Sequence, residues 1–406
     1  MGKKKCVPDV RLTKFDSEWI EHAVGELLVE RVDLSPKNNE YPLMAFVANQ
    51  GIVPKGERYD RSALVTDTEN KLYKKTELGD FIYSSNNLES GSIGLNNYGK
   101  ATISPVYSIF APTKLGVSSF LGRRLVRSDF IKEMVKWRQG VVYGQWRIHE
   151  ADFEKIAVKV PNVDEQIKIG GFLHQIDNLI LSRQKQIERL QVLKLSMLEK
   201  MFPKDDAVVP TVRFKGFEKP WQTICLGDIA SEITRVDKSS EAPIMMITAA
   251  NGFIDQSDRY SFNNAGQSLA KYIVLKKGEL AYNHGASKLR PYGSCFALDV
   301  DEARIPYVYH CFTISDHNPY FVSRVLNNKE TEKQLRKLVT SGARMDGLLN
   351  ISYEEYTTVS IQLPERDEQD RIADYFRNLE TLIVLCQQEL DKLQSLKKAL
   401  LEKMFV

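Results

Sequence analysis

The chain has 406 residues, 43% of them hydrophobic and 27% charged, which is the makeup of a soluble globular protein with room for two or three domains. A net charge of +3 excludes a strongly basic nucleic-acid binder on composition alone. Five scattered cysteines without a C-x-x-C pair exclude a disulfide framework or zinc ribbon and fit a reducing cytosol, and no uncharged apolar run reaches membrane-spanning length.

The start, "MGKKKC", is basic but has no apolar run behind it, so it does not read as a secretory signal. Residues 7–27, "VPDVRLTKFDSEWIEHAVGEL", return at 209–229 as "VPTVRFKGFEKPWQTICLGDI". After each copy come short β-rich runs between Gly/Asn/Ser loops. They are "YPLMAFVA", "GDFIYSS" and "EKIAVKVP" in the first copy, and "APIMMITAA", "KYIVLKKGELAYN" and "TTVSIQLP" in the second. Gly79-Asp80 to Tyr83 aligns with Gly278-Glu279 to Tyr282, whereas the stretches between such landmarks have diverged.

Each copy then enters a long amphipathic run. Residues 160–202 align without a gap with 363–405, from "P-x-x-D-E-Q" to "L-E-K-M-F", and 17 of the 43 pairs are identical. Shared Leu, Lys and Glu could come from helix composition, but the two end motifs are not heptad filler, so the chain is a tandem duplication of about 200 residues. Ile169, Phe172, Ile176, Leu179, Ile187, Leu190, Leu193 and Met197 recur at steps of three and four. So do Ile372, Tyr375, Leu379, Leu382, Leu390, Leu393, Leu396 and Leu400, with Arg183 and Cys386 at matching places. The spacing predicts two coiled-coil helices, each preceded by proline, with Asp164 or Asp367 capping the first turn. About 38 residues at 1.5 Å each give a rod of roughly 57 Å.

Catalytic motifs are absent. "GLNNYGKA" has P-loop spacing, but Ala101 stands where Mg²⁺ binding needs Ser or Thr, and a β-like run follows instead of a helix. "HNPYF" lacks one proline of a methyltransferase loop, and the six histidines have no metal-ligand spacing.

The order of parts resembles the specificity (S) subunit of type I restriction–modification systems. The carriers are "V-P-x-V-R" with a later Trp and Gly, "P-x-x-D-E-Q", and the terminal "L-E-K-M-F", repeated over essentially the whole chain. The resemblance implies an α+β fold: two mixed α/β target recognition domains joined by two long antiparallel coiled-coil helices with internal pseudo-two-fold symmetry. The expected segments are 1–160 and 204–362 for the recognition domains and 161–203 and 363–406 for the helices. It also implies a non-catalytic cytoplasmic subunit without a cofactor. Each domain reads half of an asymmetric bipartite duplex DNA target, the helices set the spacing, and two methyltransferase (M) subunits dock on them, with restriction (R) subunits joining. The competing reading is a helical scaffold displaying two domains for protein or carbohydrate ligands.

In such a protein the loops leaving the landmark strands are the candidate DNA contacts, because Asn and Gln suit adenine and Arg and Lys suit guanine in the major groove. In the first copy these are Asn86, Ser92, Asn96, Asn97 and Lys100, and in the second His284, Ser287, Lys288, Arg290 and Tyr292. A later pair of loops adds Tyr143, Gln145 and Arg147, then Ser341 and Arg344. Arg123, Arg124 and Arg127 are expected to meet phosphates.

Overall fold

The computed structural model describes residues 7–54, 71–141, 145–205, 207–258, 266–339 and 349–406. It divides into two compact units. The first is Met1–Lys185 with Gln387–Val406, and the second is Gln186–Cys386.

Both units are built on one plan. In the first, Ile20–Ala23 pairs antiparallel with Ala157–Val160. A four-stranded antiparallel sheet runs in the order Leu28–Glu30, Ser108–Pro112, Phe81–Tyr83, Ile93–Leu95. In the second, Gln222–Cys225 pairs with Ser360–Leu363, and the sheet order is Ala230–Glu232, His310–Ile314, Leu280–Asn283, Ser294–Ala297. Two helices follow the sheet in each unit, Ser118–Arg124 with Ser128–Val135 and Pro319–Leu326 with Lys329–Leu338. Pro319 and the Asn318 side chain, which accepts from the Phe321 N–H, explain "HNPYF" as a helix start.

The Gly-Asp and Gly-Glu landmarks also have a structural reason. Gly79 and Gly278 turn at φ +86° and +84°, in the left-handed region where a side chain is strained. The acid that follows each turn holds an arginine: Arg31 Nε lies 2.8 Å from Asp80, and Arg235 Nη2 lies 2.6 Å from Glu279.

The long helices are Val163–Lys200 and Arg366–Lys403. The first is capped by Asn162, whose Oδ1 accepts from the Glu165 N–H, in place of the expected Asp164, which lies inside the first turn. Glu165 and Glu368 are buried because each takes a bidentate pair from the arginine of a "V-P-x-V-R" copy. Arg11 donates to Glu165 at 2.7 and 2.6 Å, and Arg213 donates to Glu368 at 2.7 and 2.7 Å. Gln166 and Gln369 complete the latch by accepting from the N–H of Val117 or Asn318 and donating to the carbonyl of Pro161 or Pro364. The two motifs that announce the duplication are therefore partners in space.

Ile169, Leu173, Ile176 and Ile187 of the first helix and Ile372, Phe376, Leu379, Cys386 and Leu390 of the second are buried. This line alternates steps of three and four, but it differs in part from the expected one: Leu179, Leu193, Leu382 and Leu396 are exposed. The 3.6-residue helix gave two apolar stripes to choose from, and the buried one passes one residue away, through Leu173 instead of Phe172. Within the first unit Asp177 meets Lys397 at 2.7 Å and Arg183 meets Glu389 at 2.8 Å, so the two helical segments there run antiparallel. Within the second, Lys194 meets Glu380 at 2.7 Å.

The repeated "L-E-K-M-F" closes a core in each unit. Phe202 packs against Trp221 and Phe321 at centroid distances of 6.0 and 5.5 Å. Phe405 packs against Trp19 and Phe120 at 6.3 and 5.3 Å, and Val10 N–H donates to Lys403 O at 3.0 Å. The last residues of the chain thus complete the core of the first unit.

Candidate nucleic-acid interface

In the first unit the chain leaves strand Phe81–Tyr83 into a loop that is stitched to the hairpin Gln139–Val141/Gln145–Arg147. The Ile148 N–H donates to Ser85 Oγ at 3.0 Å, Arg138 Nε donates to Ser85 O at 3.0 Å, and the Trp146 N–H donates to Asn86 Oδ1 at 2.6 Å. These bonds bring Asn86, Gln145 and Arg147 onto one exposed surface, with Arg147 3.5 Å from Glu150. Sequence reading passed over Trp146, which stands between Gln145 and Arg147 and is 49% exposed. The alternating strand pattern "QWR" was the available signal.

Asn97 is exposed at the other end of strand Phe81–Tyr83, where Leu95 pairs with Phe81, whereas Ser92 and Asn96 are buried. The Asn96 side chain is spent inside the protein: Nδ2 donates to Thr76 Oγ1 on a neighbouring strand and to Gly99 O, and Oδ1 accepts from the N–H groups of Tyr98 and Gly99. Lys100 is exposed, pairs with Glu40 and lies 5.5 Å from the Tyr41 ring centroid. Strand Ala101–Ile103 follows it in place of the helix that a P-loop requires.

The guanidinium groups of the three arginines of 121–127 are turned onto the protein itself. Arg123 donates to Ser119 O at 2.6 Å and to Asp177 at 2.5 Å. Arg324 makes the same bond to Glu380 in the second unit, at 2.7 Å, and each acid also holds a lysine of the long helices. Arg124 is buried 2.9 Å from Asp129, and burial pulls its pKa down against that carboxylate. Arg127 donates to Leu401 O and covers the Phe405 ring at 5.6 Å.

In the second unit the corresponding loop follows strand Leu280–Asn283. Lys288 is exposed, and the exposed Ser287 accepts from the Arg290 N–H at 3.0 Å to form a tight turn. His284 is buried beside His310, centroids 5.0 Å apart, and its carbonyl accepts from the Leu349 N–H. Arg290 is drawn inward: burial lowers its pKa, and it donates to Asn327 O with Glu332 3.8 Å away. Tyr292 packs against the core, and its carbonyl accepts from Tyr282 Oη at 2.7 Å. His284, Arg290 and Tyr292 therefore build the loop instead of standing on it. Tyr143, Ser341 and Arg344 lie outside the described residues.

The exposed candidates are thus Asn86, Asn97, Lys100, Gln145 and Arg147 in one unit and Ser287 and Lys288 in the other. They offer amide, hydroxyl and cationic groups, the chemistry of base edges and phosphates. Among the described residues no group of His, Cys, Asp and Glu could hold a metal ion, and no helix is long and apolar enough to cross a membrane.

No family model matches the chain. The MjaVIII specificity subunit of a type I restriction enzyme from Methanocaldococcus jannaschii is 26% identical over 302 residues, 68% of this chain. The match spans 66% of that relative, just under two thirds of its length. The crystal structure of a type I restriction–modification S subunit from M. genitalium superposes with a TM-score of 0.55 over 98% of this chain and 99% of that one. At 13% identity this is a shared fold.

Proposed function

We propose that this chain is the DNA-recognition subunit of a type I restriction–modification complex, homologous to the archaeal specificity subunit and built on the S-subunit fold. One observation carries the reading. The duplicated units keep the same sheet order, Arg–Glu latch and closing phenylalanine, while the loops at the ends of their landmark strands differ in every candidate contact. A scaffold kept constant beneath two unlike surfaces suits two readings of one kind of target. Each unit would read one half of an asymmetric bipartite duplex site, and the helices would hold the halves at a fixed gap.

The chain brings no chemistry of its own to this task. Methyl donor and ATP belong to partner subunits, which work with it in the cytoplasm. Two methyltransferase subunits dock on the helices, whose outward faces carry exposed Leu179, Leu181, Val192 and Leu195 on one and Leu382, Val384 and Leu385 on the other. Restriction subunits join that assembly. Partners supply much of the phosphate contact that dominates affinity, which accounts for a net charge of only +3. No observation favours a scaffold for carbohydrate or protein ligands.

The test is selection of random duplexes by the chain co-purified with its methyltransferase subunits. The expected product is a sequence of two unlike fixed parts around a gap of constant length. Enrichment of one uninterrupted motif, or of none, sinks the proposal.

A further inference from the structure

We propose that Gln50 in the first unit and Asn251 in the second are specificity-determining residues, each reading an adenine in the half-site of its own unit, an inference that rests on the DNA-recognition role above. They hold the same place in a device that both units carry. Strands Met44–Val47 and Gly51–Pro54 form a hairpin in the first unit, and Met245–Thr248 and Gly252–Asp255 form one in the second. Val47 pairs with Gly51 and Thr248 with Gly252, so each turn has three residues, Ala48-Asn49-Gln50 and Ala249-Ala250-Asn251. Gly51 at φ +79° and Gly252 at φ +69° close these turns in the left-handed region, as three-residue hairpin loops require.

Each hairpin is seated in a core and tied to the candidate recognition loop of its unit. Met44, Phe46 and Ile52 are buried in one core cluster of the first unit, and Ile247 is buried in one of the second. The Asn49 N–H donates to Gly91 O at 3.0 Å. A Cβ on Gly91 would stand 2.2 Å from Asn49 Oδ1, so the Asn49 side chain takes the space beside that glycine. Gly91 lies on the loop that also carries Asn86. In the second unit Asn283, the last strand residue before the loop of Ser287 and Lys288, donates from Nδ2 to Ile247 O at 3.2 Å.

The other polar side chains of these turns are spent locally. Asn49 is held against Gly91, and Thr248 Oγ1 donates to Gly252 O at 3.3 Å while accepting from the Asn251 N–H at 3.2 Å. Gln50 and Asn251 are exposed, and among the described residues neither side-chain amide has a hydrogen-bond partner. The recognition loops of the two units share no candidate contact, yet a free amide recurs just before the closing glycine of both hairpins. A carboxamide presents an acceptor and a donor side by side, the complement of adenine N6 and N7 in the major groove.

The experiment measures the affinity of the chain, assembled with its methyltransferase subunits, for duplexes carrying the recognised site. Each adenine of either strand is replaced in turn by 7-deazaadenine, which lacks the N7 acceptor. The wild-type complex should lose about tenfold in affinity at one adenine of each half-site, within the worth of a bidentate pair. Gln50→Ala should remove that penalty in one half-site and keep it in the other, and Asn251→Ala should do the reverse. Both variants should melt with the wild type, because both positions are exposed turn residues. A wild-type complex indifferent to the replacement throughout a half-site overturns the assignment for that unit without any variant. A variant that keeps the wild-type penalty at every adenine overturns it too, including one that binds all sequences more weakly, as loss of a phosphate contact would. A wild-type complex that binds no two-part site removes the recognition role itself, and this inference with it.

Discussion

Replacing Phe405 by alanine tests whether the end of the chain belongs to the first unit. The ring is 5% exposed and sits against Phe120 and Trp19, with the Arg127 guanidinium above it. Deleting a buried phenylalanine costs about 3–5 kcal/mol, and its aromatic pairs account for about 0.5–1.5 kcal/mol of that. In a unit of roughly 200 residues each kcal/mol moves the melting temperature by about 2–4 °C, so a fall on the order of 10 °C is expected. Calorimetry would measure it, with urea unfolding followed by tryptophan fluorescence as a second probe. Phe202→Ala is the internal standard, because Phe202 is equally buried against Trp221 and Phe321. The two variants should be destabilised alike. If Phe405→Ala melts within about 1 °C of wild type while Phe202→Ala does not, the last residues do not close the first core.

Glu368→Gln should cost about 3–5 kcal/mol in urea unfolding, because it strands the nearly buried Arg213 without its counter-charge. Arg213→Met combined with Glu368→Leu should recover most of that loss, and a double variant as unstable as the single one would refute the latch as an ionic device. Burial pushes the carboxyls of Asp177 and Glu380 up, but the pairs with Lys397 and Arg123, and with Arg324 and Lys194, outweigh it and leave both below their usual values. Folded-state values lowered in this way give stability that is fully present above the unfolded values of 3.8 and 4.5 and is lost as pH falls through the folded ones. Melting temperature should therefore drop on acidification below about pH 4.5, less steeply in Asp177→Asn. An unchanged slope in that variant would remove Asp177 from the account. Lys288→Ala should weaken DNA binding evenly across sequences and reduce the salt slope by about one, whereas loss confined to a single base position would make Lys288 a base reader.

The scaffold was largely legible in the sequence because duplication prints each structural device twice. "V-P-x-V-R", "P-x-x-D-E-Q" and "L-E-K-M-F" were visible as words, and the structure supplies the grammar: the arginine of the first word binds the glutamate of the second, and the phenylalanine of the third fills a core. The destination of the second "L-E-K-M-F" was not legible. Its position along the chain does not name its partner, yet in space Phe405 meets Trp19, nearly 400 residues earlier. The site was less readable, because local pattern does not report where a polar side chain finds its partner. Asn96 and Arg290 look like surface readers in a polar loop and Arg123 like a phosphate contact, but their donors go to Gly99, Asn327 and Asp177. Leu179 looks like a seam residue by period and is exposed, because Ile180 one position on belongs to the stripe that turns inward. Trp146 was overlooked for the opposite reason, since an apolar residue is by default assigned to a core.

The most direct measurement is the N6-methyladenine map of the source genome with this gene present, deleted and restored, the partner genes being expressed throughout. Loss and return of methylation at one motif, made of two unlike short halves around a constant gap, is the predicted result. A map unchanged by deletion would contradict the DNA-recognition role.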